Sequence, residues 1–338
     1  MSQQARHRAL LVAILVVASQ KHGPVAEAVT ASPWWSSKHS KLRCRDPGSP
    51  EAPGVVFGVK TTRFYHATRT VELYHAWGHK LGRRLMFVSD GAIEEAESWL
   101  ASVLVVEDQI DSLRNEVYVP PWRTEDPEAT DTADPFTLPQ LTRRVGALIE
   151  AMYACWGNTA DWFMIVDDDT FVRPSLVQAA LRHLDAGKMH LLGMVTDSDK
   201  FALPAHQEKY GSSSHCGGSS IIVSRALVQL LVQHIAVCIH GPPRTTLAWY
   251  WDEVELLGRC VYELVGLNCS FPPNLPVADD EVPLPLMAFL SWLPLKDLES
   301  YVSNSLNGLW NRVPTATFHP VEAEQMRWLG KRFGRAKK

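Results

Sequence analysis

The chain has 338 residues, 46% hydrophobic and 21% charged, with 22 Pro and 20 Gly. That length suits two average domains or one large α/β domain, and the composition excludes a coiled coil, a collagen-like chain and a wholly disordered one. Lys and Arg total 33 against 37 Asp and Glu, a formal charge of −4, and no dense basic block precedes the short C-terminal tail, so nucleic acid is not an expected partner.

At the N-terminus, Arg6 and Arg8 precede an apolar run from Ala9 to Ser19. A helix needs about 20 apolar residues to cross a bilayer, and this run supplies roughly half of that. A basic start, a short apolar core and the small residues Ala18 and Ser19 therefore read as a secretory signal over residues 1–19. The variant reading is a short signal anchor, which would attach the chain to a membrane. Residues 20–53 carry Pro24, Pro33, Pro47, Pro50 and Pro53 and read as a stem or linker. The six cysteines, Cys44, Cys155, Cys216, Cys238, Cys260 and Cys269, are an even number suited to an oxidising compartment, with a pairing that sequence alone does not give. No C-x-x-C occurs, which disfavours a zinc ribbon or a thioredoxin-type site. Asn268-Cys269-Ser270 is an N-glycosylation sequon, usable only if the chain enters the lumen.

Regular structure is predicted from Val55 onward. Val55–Val59 is a short apolar run of the buried parallel-strand type. His66–Trp77 has helical spacing, Leu85–Val88 is a second strand ending in the turn signal Ser89-Asp90-Gly91, Glu94–Leu100 reads as helical, and Val103–Val106 is a third strand. Residues 120–139, with five prolines among five acids, read as a surface loop. Leu141–Trp156 is an amphipathic helix, Trp162–Val166 a fourth strand, and Pro174 opens a helix running to about Leu184. This β-α-β-α-β alternation predicts an α/β fold with a mostly parallel, Rossmann-like sheet flanked by helices.

The sharpest chemical feature is Asp167-Asp168-Asp169-Thr170 at the end of the fourth strand. Ligands of open α/β sheets bind beyond the carboxyl ends of strands, and adjacent carboxylates repel one another unless a cation lies among them. Hard divalent metals take oxygen ligands and bridge carboxylates to phosphates, so the run reads as a metal–diphosphate site. A solvated acidic turn, or a helix N-cap, is the bland alternative.

Residues 160–172, ADWFMIVDDDTFV, resemble the strand-plus-DxD segment of the Fringe-like and core 1 galactosyltransferase-like enzymes of glycosyltransferase family 31, leaning toward the core 1 type. The likeness continues in chain order. GVKTT (58–62) with Arg69 and HAWG (75–78) resembles the family's first strand and R…TW helix, and Phe87–Gly91 its second-strand turn. HCGGSSIIVSRAL (215–227) resembles its GGAG segment, WDEVELLGRC (251–260) its acidic motif, and Phe318-His319-Pro320 its late FHP motif.

The resemblance covers roughly residues 54–322. It implies a GT-A fold in one catalytic domain over residues 54–325, followed by a basic tail at 326–338. It also implies inverting β1,3 transfer of a hexose or N-acetylhexosamine from a UDP-sugar, with Mn²⁺ or Mg²⁺ bound, to a glycan or glycoprotein in the Golgi or ER lumen. By the motif matches, Asp167, Asp169 and His319 would ligate the metal. Thr61, Thr62, Arg69, Asp90, Asp168, Gly217 and Gly218 would surround the donor, with Arg143 or Arg144 where the family often carries Lys. The general base falls at Asp252 or Glu253, with Asp252 favoured; the acids stand at a spacing from Gly258 that departs from the family's. Ser219-Ser220 replaces the family's Ala-Gly, and Cys238 with Cys260 matches its paired cysteines. A non-catalytic lumenal chaperone or glycan-binding protein on the same fold is the competing reading, disfavoured by the intact acidic run. A P-loop enzyme and an H-E-x-x-H zinc hydrolase are excluded by the absence of their motifs.

Overall fold

The computed structural model describes residues 54–106, 138–196, 215–240, 253–270, 287–289, 296, 298 and 317–334. All of them fall within one compact unit, Lys38–Lys338. The predicted signal segment 1–19, the stem 20–53 and the acidic loop 120–139, apart from positions 138 and 139, lie outside the described residues.

Three apolar runs form one half of the sheet: β1 (Val55–Lys60), β2 (Leu85–Ser89) and, at the edge beside β2, the shorter β3 (Ser102–Val105). They are followed by β4 (Trp162–Asp167), β5 (Phe171–Val172), β6 (Leu191–Thr196) and β7 (His215–Ser224). The main sheet has the order β3-β2-β1-β4-β7-β6. β1, β2, β3 and β4 are mutually parallel where they pair; β7 is antiparallel to both β4 and β6, so it alone is reversed. This is the mostly parallel α/β sheet expected from the sequence. β1 and β2 are buried along their whole length, which is why they appear as continuous apolar runs rather than alternating ones.

The two faces of β1 divide the helices between them. On one face Phe57 packs edge-on against Trp77, ring centroids 6.2 Å apart, from α1 (Val71–Ala76) and its C-terminal end. On the other face lies α2 (Leu138–Trp156), so close that a Cβ on Gly58 would stand 2.5 Å from Met152 Sδ and 2.8 Å from Leu148 Cδ2. α3 (Pro174–Leu181) contributes Val177, Ala180 and Leu181 to the same core as Trp77. α4 (Arg225–His240) and α5 (Glu253–Val265) pack with α2. Each large apolar side chain buried this way contributes on the order of 1.5–3 kcal/mol.

A second sheet, β5-β9-β8, joins β8 (Met287–Phe289) and β9 (Thr317–His319) to β5. Phe318 of β9 forms a three-ring cluster with Phe171 and Phe333, 6.1 Å from each, while those two are 6.0 Å apart. Phe333 belongs to α6 (Ala323–Gly334), whose Met326 and Leu329 are buried and whose Gly330 sits directly on Ala76 of α1. The expected tail boundary at 325/326 therefore falls inside a docked helix: Met326, Leu329 and Phe333 repeat at helical spacing and carry the basic residues on the outer side. The expected helix at Glu94–Leu100 is a 3₁₀ turn over Glu94–Ser98, too short to make an α-helix before β3 begins. Among the described residues no helix is long and apolar enough to cross a membrane.

Candidate metal–diphosphate site

The strand order reverses between β1 and β4, since β2 and β3 lie on one side of β1 and β4 on the other. Crevices outside the carboxyl ends of strands at such a point are where open α/β sheets bind ligands. Lys60 and Asp167 are register partners at those two carboxyl ends. The buried Lys60 Nζ stands 2.7 Å from Asp167 Oδ1. The acidic run thus emerges directly into the crevice.

Asp168 points the other way, into the protein. Thr61 Oγ1 donates to Asp168 Oδ2 at 2.7 Å, and the Thr61 and Thr70 hydroxyls are 2.6 Å apart. Thr70 and Arg69 reach the site from a π-helical turn, His66–Thr70, that precedes α1; single π turns of this kind concentrate at functional sites because they re-aim side chains. Arg69 Nη1 donates to Asp169 Oδ2 at 3.3 Å and lies 3.8 Å from Asp168 Oδ1, and the guanidinium is steadied over the Tyr65 ring at 4.1 Å.

His319 arrives from a distant part of the chain. β9 brings it beside β5, Thr170 Oγ1 lies 3.1 Å from its Nδ1, and Val321 N donates to Asp169 O at 2.9 Å, tying the two segments together. The His319-Pro320 peptide is cis. His319 Nδ1 lies 3.0 Å from Asp169 Oδ1, an oxygen that is buried and makes no well-angled hydrogen bond. Trp77 Nε1 donates to Thr170 O at 3.1 Å, so the helix-side core holds the end of the acidic run in place.

The charges oppose one another closely. Burial, with the Asp169 carboxylate beside it, pushes Asp168 up to about 7. Burial would also raise Asp169, but His319, Arg69 and Lys60 outweigh it and hold that carboxyl below its ordinary value. Burial would lower His319, yet Asp169 and Asp167 hold it above the usual imidazole value. The His319 imidazole, Lys60 and Arg69 thus face the carboxylates at close range.

One ligand atom each from Asp167, Asp169 and His319 lie within 4.8 Å of one another; among the described residues no other such group of three occurs. Two carboxylate oxygens and an imidazole nitrogen suit Mn²⁺, and the buried Asp169 Oδ1 without a good hydrogen bond is the kind of atom a cation satisfies. The residues fit a divalent metal, whose binding would release the imidazole proton.

The residues expected around a donor lie toward the same end of the sheet. Asp90 Oδ1 accepts from Arg63 N at 2.7 Å, and Asp90 Oδ2 is 3.5 Å from Nη2 of the buried Arg144. Of the two arginines left open by the sequence, Arg144 is therefore turned to Asp90; the Arg143 side chain lies outside the described residues. Thr62 Oγ1 is buried with no hydrogen-bond partner. The last β4–β7 pair is Val166 with Ser220, so Gly217 and Gly218 of β7 continue past it on the side of the acidic run. Glu253 is the first residue of α5, but its side chain, like Asp252 as a whole, lies outside the described residues, and the base stays open between them.

Lys60 and Thr70 were not anticipated from sequence. Lys60 ends a buried strand, a costly place for an ammonium without a partner, and that conflict was the available signal. Thr70 gave none. A cavity of about 850 Å³, lined by Val55, Asp161, Trp162, Arg182 and Arg225 among others, opens at the amino ends of β1 and β4 and contains none of the predicted residues. Cys216 and Cys269 are bridged, and Cys155 and Cys260 are also in disulfides; the expected partner Cys238 has its side chain outside the described residues.

Residues 122–266 match the Fringe-like family model. Among curated proteins the chain is 28% identical to chondroitin sulfate synthase 3 of Mus musculus over 122 residues, which is 36% of this chain and 13% of that protein. It is 29% identical to chondroitin sulfate glucuronyltransferase of Homo sapiens over 118 residues, 35% of this chain and 14% of that one. The match thus spans about an eighth of the length of these relatives. Among solved structures, the galactosyltransferase LgtC with donor and acceptor sugar analogs has a TM-score of 0.43 and 11% identity, covering 83% of this chain and 97% of that one. Mouse xyloside xylosyltransferase 1 has a TM-score of 0.36 and 13% identity over 79% of this chain and 98% of that one. The Fringe-like resemblance seen in the sequence is matched by the family model over residues 122–266.

Proposed function

We propose that this chain, Fringe-like over residues 122–266, is an inverting GT-A glycosyltransferase that moves a hexose or N-acetylhexosamine from a UDP-sugar to a glycan or glycoprotein in the secretory lumen, forming a β1,3 linkage. The observation that carries the proposal is the convergence of Asp167, Asp169 and His319, 152 residues apart in sequence at the extremes, on one point at the switch of the sheet. The bridged cysteines support the oxidising compartment.

Asp167, Asp169 and His319 would hold Mn²⁺ or Mg²⁺, which when bound supplies positive charge to a diphosphate leaving group. The rest of the work falls to the protein. Lys60 and Arg69 fix the directions of the Asp167 and Asp169 carboxylates and add positive potential where the diphosphate would lie. Asp168, placed beside the donor by the motif match, is held by Thr61, with the Thr70 hydroxyl behind it. Thr62, Asp90 and Arg144 line the nucleotide side, and Gly217 and Gly218 admit the donor sugar close to the backbone. Asp252 or Glu253 takes the proton of the acceptor hydroxyl as that oxygen attacks the anomeric carbon from the face opposite UDP.

The names of the curated relatives add glucuronic acid to the donors worth testing. The competing non-catalytic reading needs no metal cluster, and the assembled ligand set favours the enzyme. Purified protein incubated with Mn²⁺ and a panel of UDP-sugars, with glycan acceptors, is expected to release UDP from one donor and to stop on EDTA addition. UDP release that is indifferent to EDTA would overturn the metal's role, and donor binding with no turnover on any acceptor would favour the non-catalytic reading.

A further inference from the structure

The sequon Asn268-Cys269-Ser270 lies away from the crevice, against the edge strand β6. α5 ends at Val265, and the next residue, Gly266, with a φ of +68° and an N–H bond to Tyr262 O at 2.8 Å, forms a left-handed helix stop. The chain then runs extended along β6. Gly193 N donates to Ser270 O and Ser270 N donates to Leu191 O, both at 3.0 Å, making a parallel bridge. Alternation does the rest: Cys269 turns inward, 5% exposed, to its bridge with the fully buried Cys216 of β7, while Asn268 turns outward and is exposed.

We infer that Asn268 is an N-glycosylation site, and that the glycan is attached before the Cys216–Cys269 bridge closes. This rests on the lumenal reading above and goes beyond the transferase site. In the transfer, a bond forms between Asn268 Nδ2 and the anomeric carbon of a lipid-diphosphate-linked oligosaccharide. The bond from that carbon to the diphosphate oxygen breaks, the lipid diphosphate leaves with the electron pair, and Nδ2 gives up one proton. The order follows from the folded geometry. The transferase must take the sequon as a free loop with its hydroxyl available, whereas in the folded chain the Ser270 backbone is paired to β6, its Oγ donates to Leu191 O at 3.4 Å, and Cys269 is locked inward. Once attached, the glycan stands beside the outer side of β6. An edge strand with unpaired backbone groups is open to pairing with another chain, and a bulky polar group beside it blocks that approach.

The test is expression of the full chain in secretory cells, with a reporter sequon appended at the C-terminus, in wild-type, Asn268→Gln, Ser270→Ala and Cys216→Ser forms. Endoglycosidase mobility shifts and mass mapping of Asn268 are read for each. The expected result is a glycan at Asn268 in wild type, none in Asn268→Gln or Ser270→Ala, and occupancy in Cys216→Ser at least as high as wild type. A glycosylated reporter with a bare Asn268 in wild type overturns the site while leaving the lumenal reading intact. A bare reporter overturns both. A fall in occupancy in Cys216→Ser overturns the order of events.

Discussion

Asp168 differs from its two neighbours although all three are aspartates. Asp167 meets Lys60, Asp169 meets His319 and Arg69, and Asp168 is buried with Thr61 as its close donor. Thr61→Val keeps the volume but removes that donor, leaving a buried carboxyl oxygen without it; the expected cost is about 1–3 kcal/mol in urea unfolding. Glu150 on α2 gives a separate titration. Burial raises it from 4.5 to about 7, so the folded state holds the proton more tightly than the unfolded one. Its favourable contribution is therefore present at low pH and lost as pH rises through about 7. Glu150→Gln is expected to be more stable than wild type by about 1 kcal/mol at pH 8, after screening of a half-buried group, with the difference vanishing toward pH 4.5. Thermal melts at the two pH values check this.

Among the elements, β1 carries the tightest constraint. Gly58 faces α2 at a distance that leaves no room for a Cβ, so Gly58→Ala should cost about 1–3 kcal/mol through overpacking, read as a lower denaturation midpoint with an unchanged slope. β1, β2 and β4 were legible in the sequence because strands buried on both faces are uninterrupted apolar runs. α2 was legible from its periodicity, although it starts at Leu138 rather than Leu141. What no local pattern could give was register. That Lys60 lies opposite Asp167, that β7 is reversed, and that β9 pairs with β5 are facts of long-range pairing. The π turn at His66–Thr70 was hidden for a related reason: its spacing still reads as helical, so Thr70 looked like any helix residue. The acidic run was legible in type and position, but the different partners of its three carboxylates depend on Lys60, on Thr61 and on His319 from the far end of the chain.

At the scale of the molecule, the small sheet β5-β9-β8 and α6 act as the device that delivers His319, through Phe318 clustered with Phe171 and Phe333. The Cys216–Cys269 bridge closes a separation of 53 residues and fastens the segment after α5 to β7. Replacing both cysteines by Ser is expected to lower stability by about 2–4 kcal/mol in denaturant unfolding, chiefly by freeing the unfolded chain. The central claim is that the acidic run and His319 form one metal–diphosphate site, and it is tested most directly by titrating Mn²⁺ into the full chain with and without UDP, followed by electron paramagnetic resonance, in wild type, Asp169→Asn and His319→Ala. The account predicts one Mn²⁺ site in wild type, tightened by UDP, with affinity reduced at least tenfold in each variant and UDP binding lost in EDTA. Equal Mn²⁺ affinity in all three proteins, or UDP binding unchanged by EDTA, would contradict it.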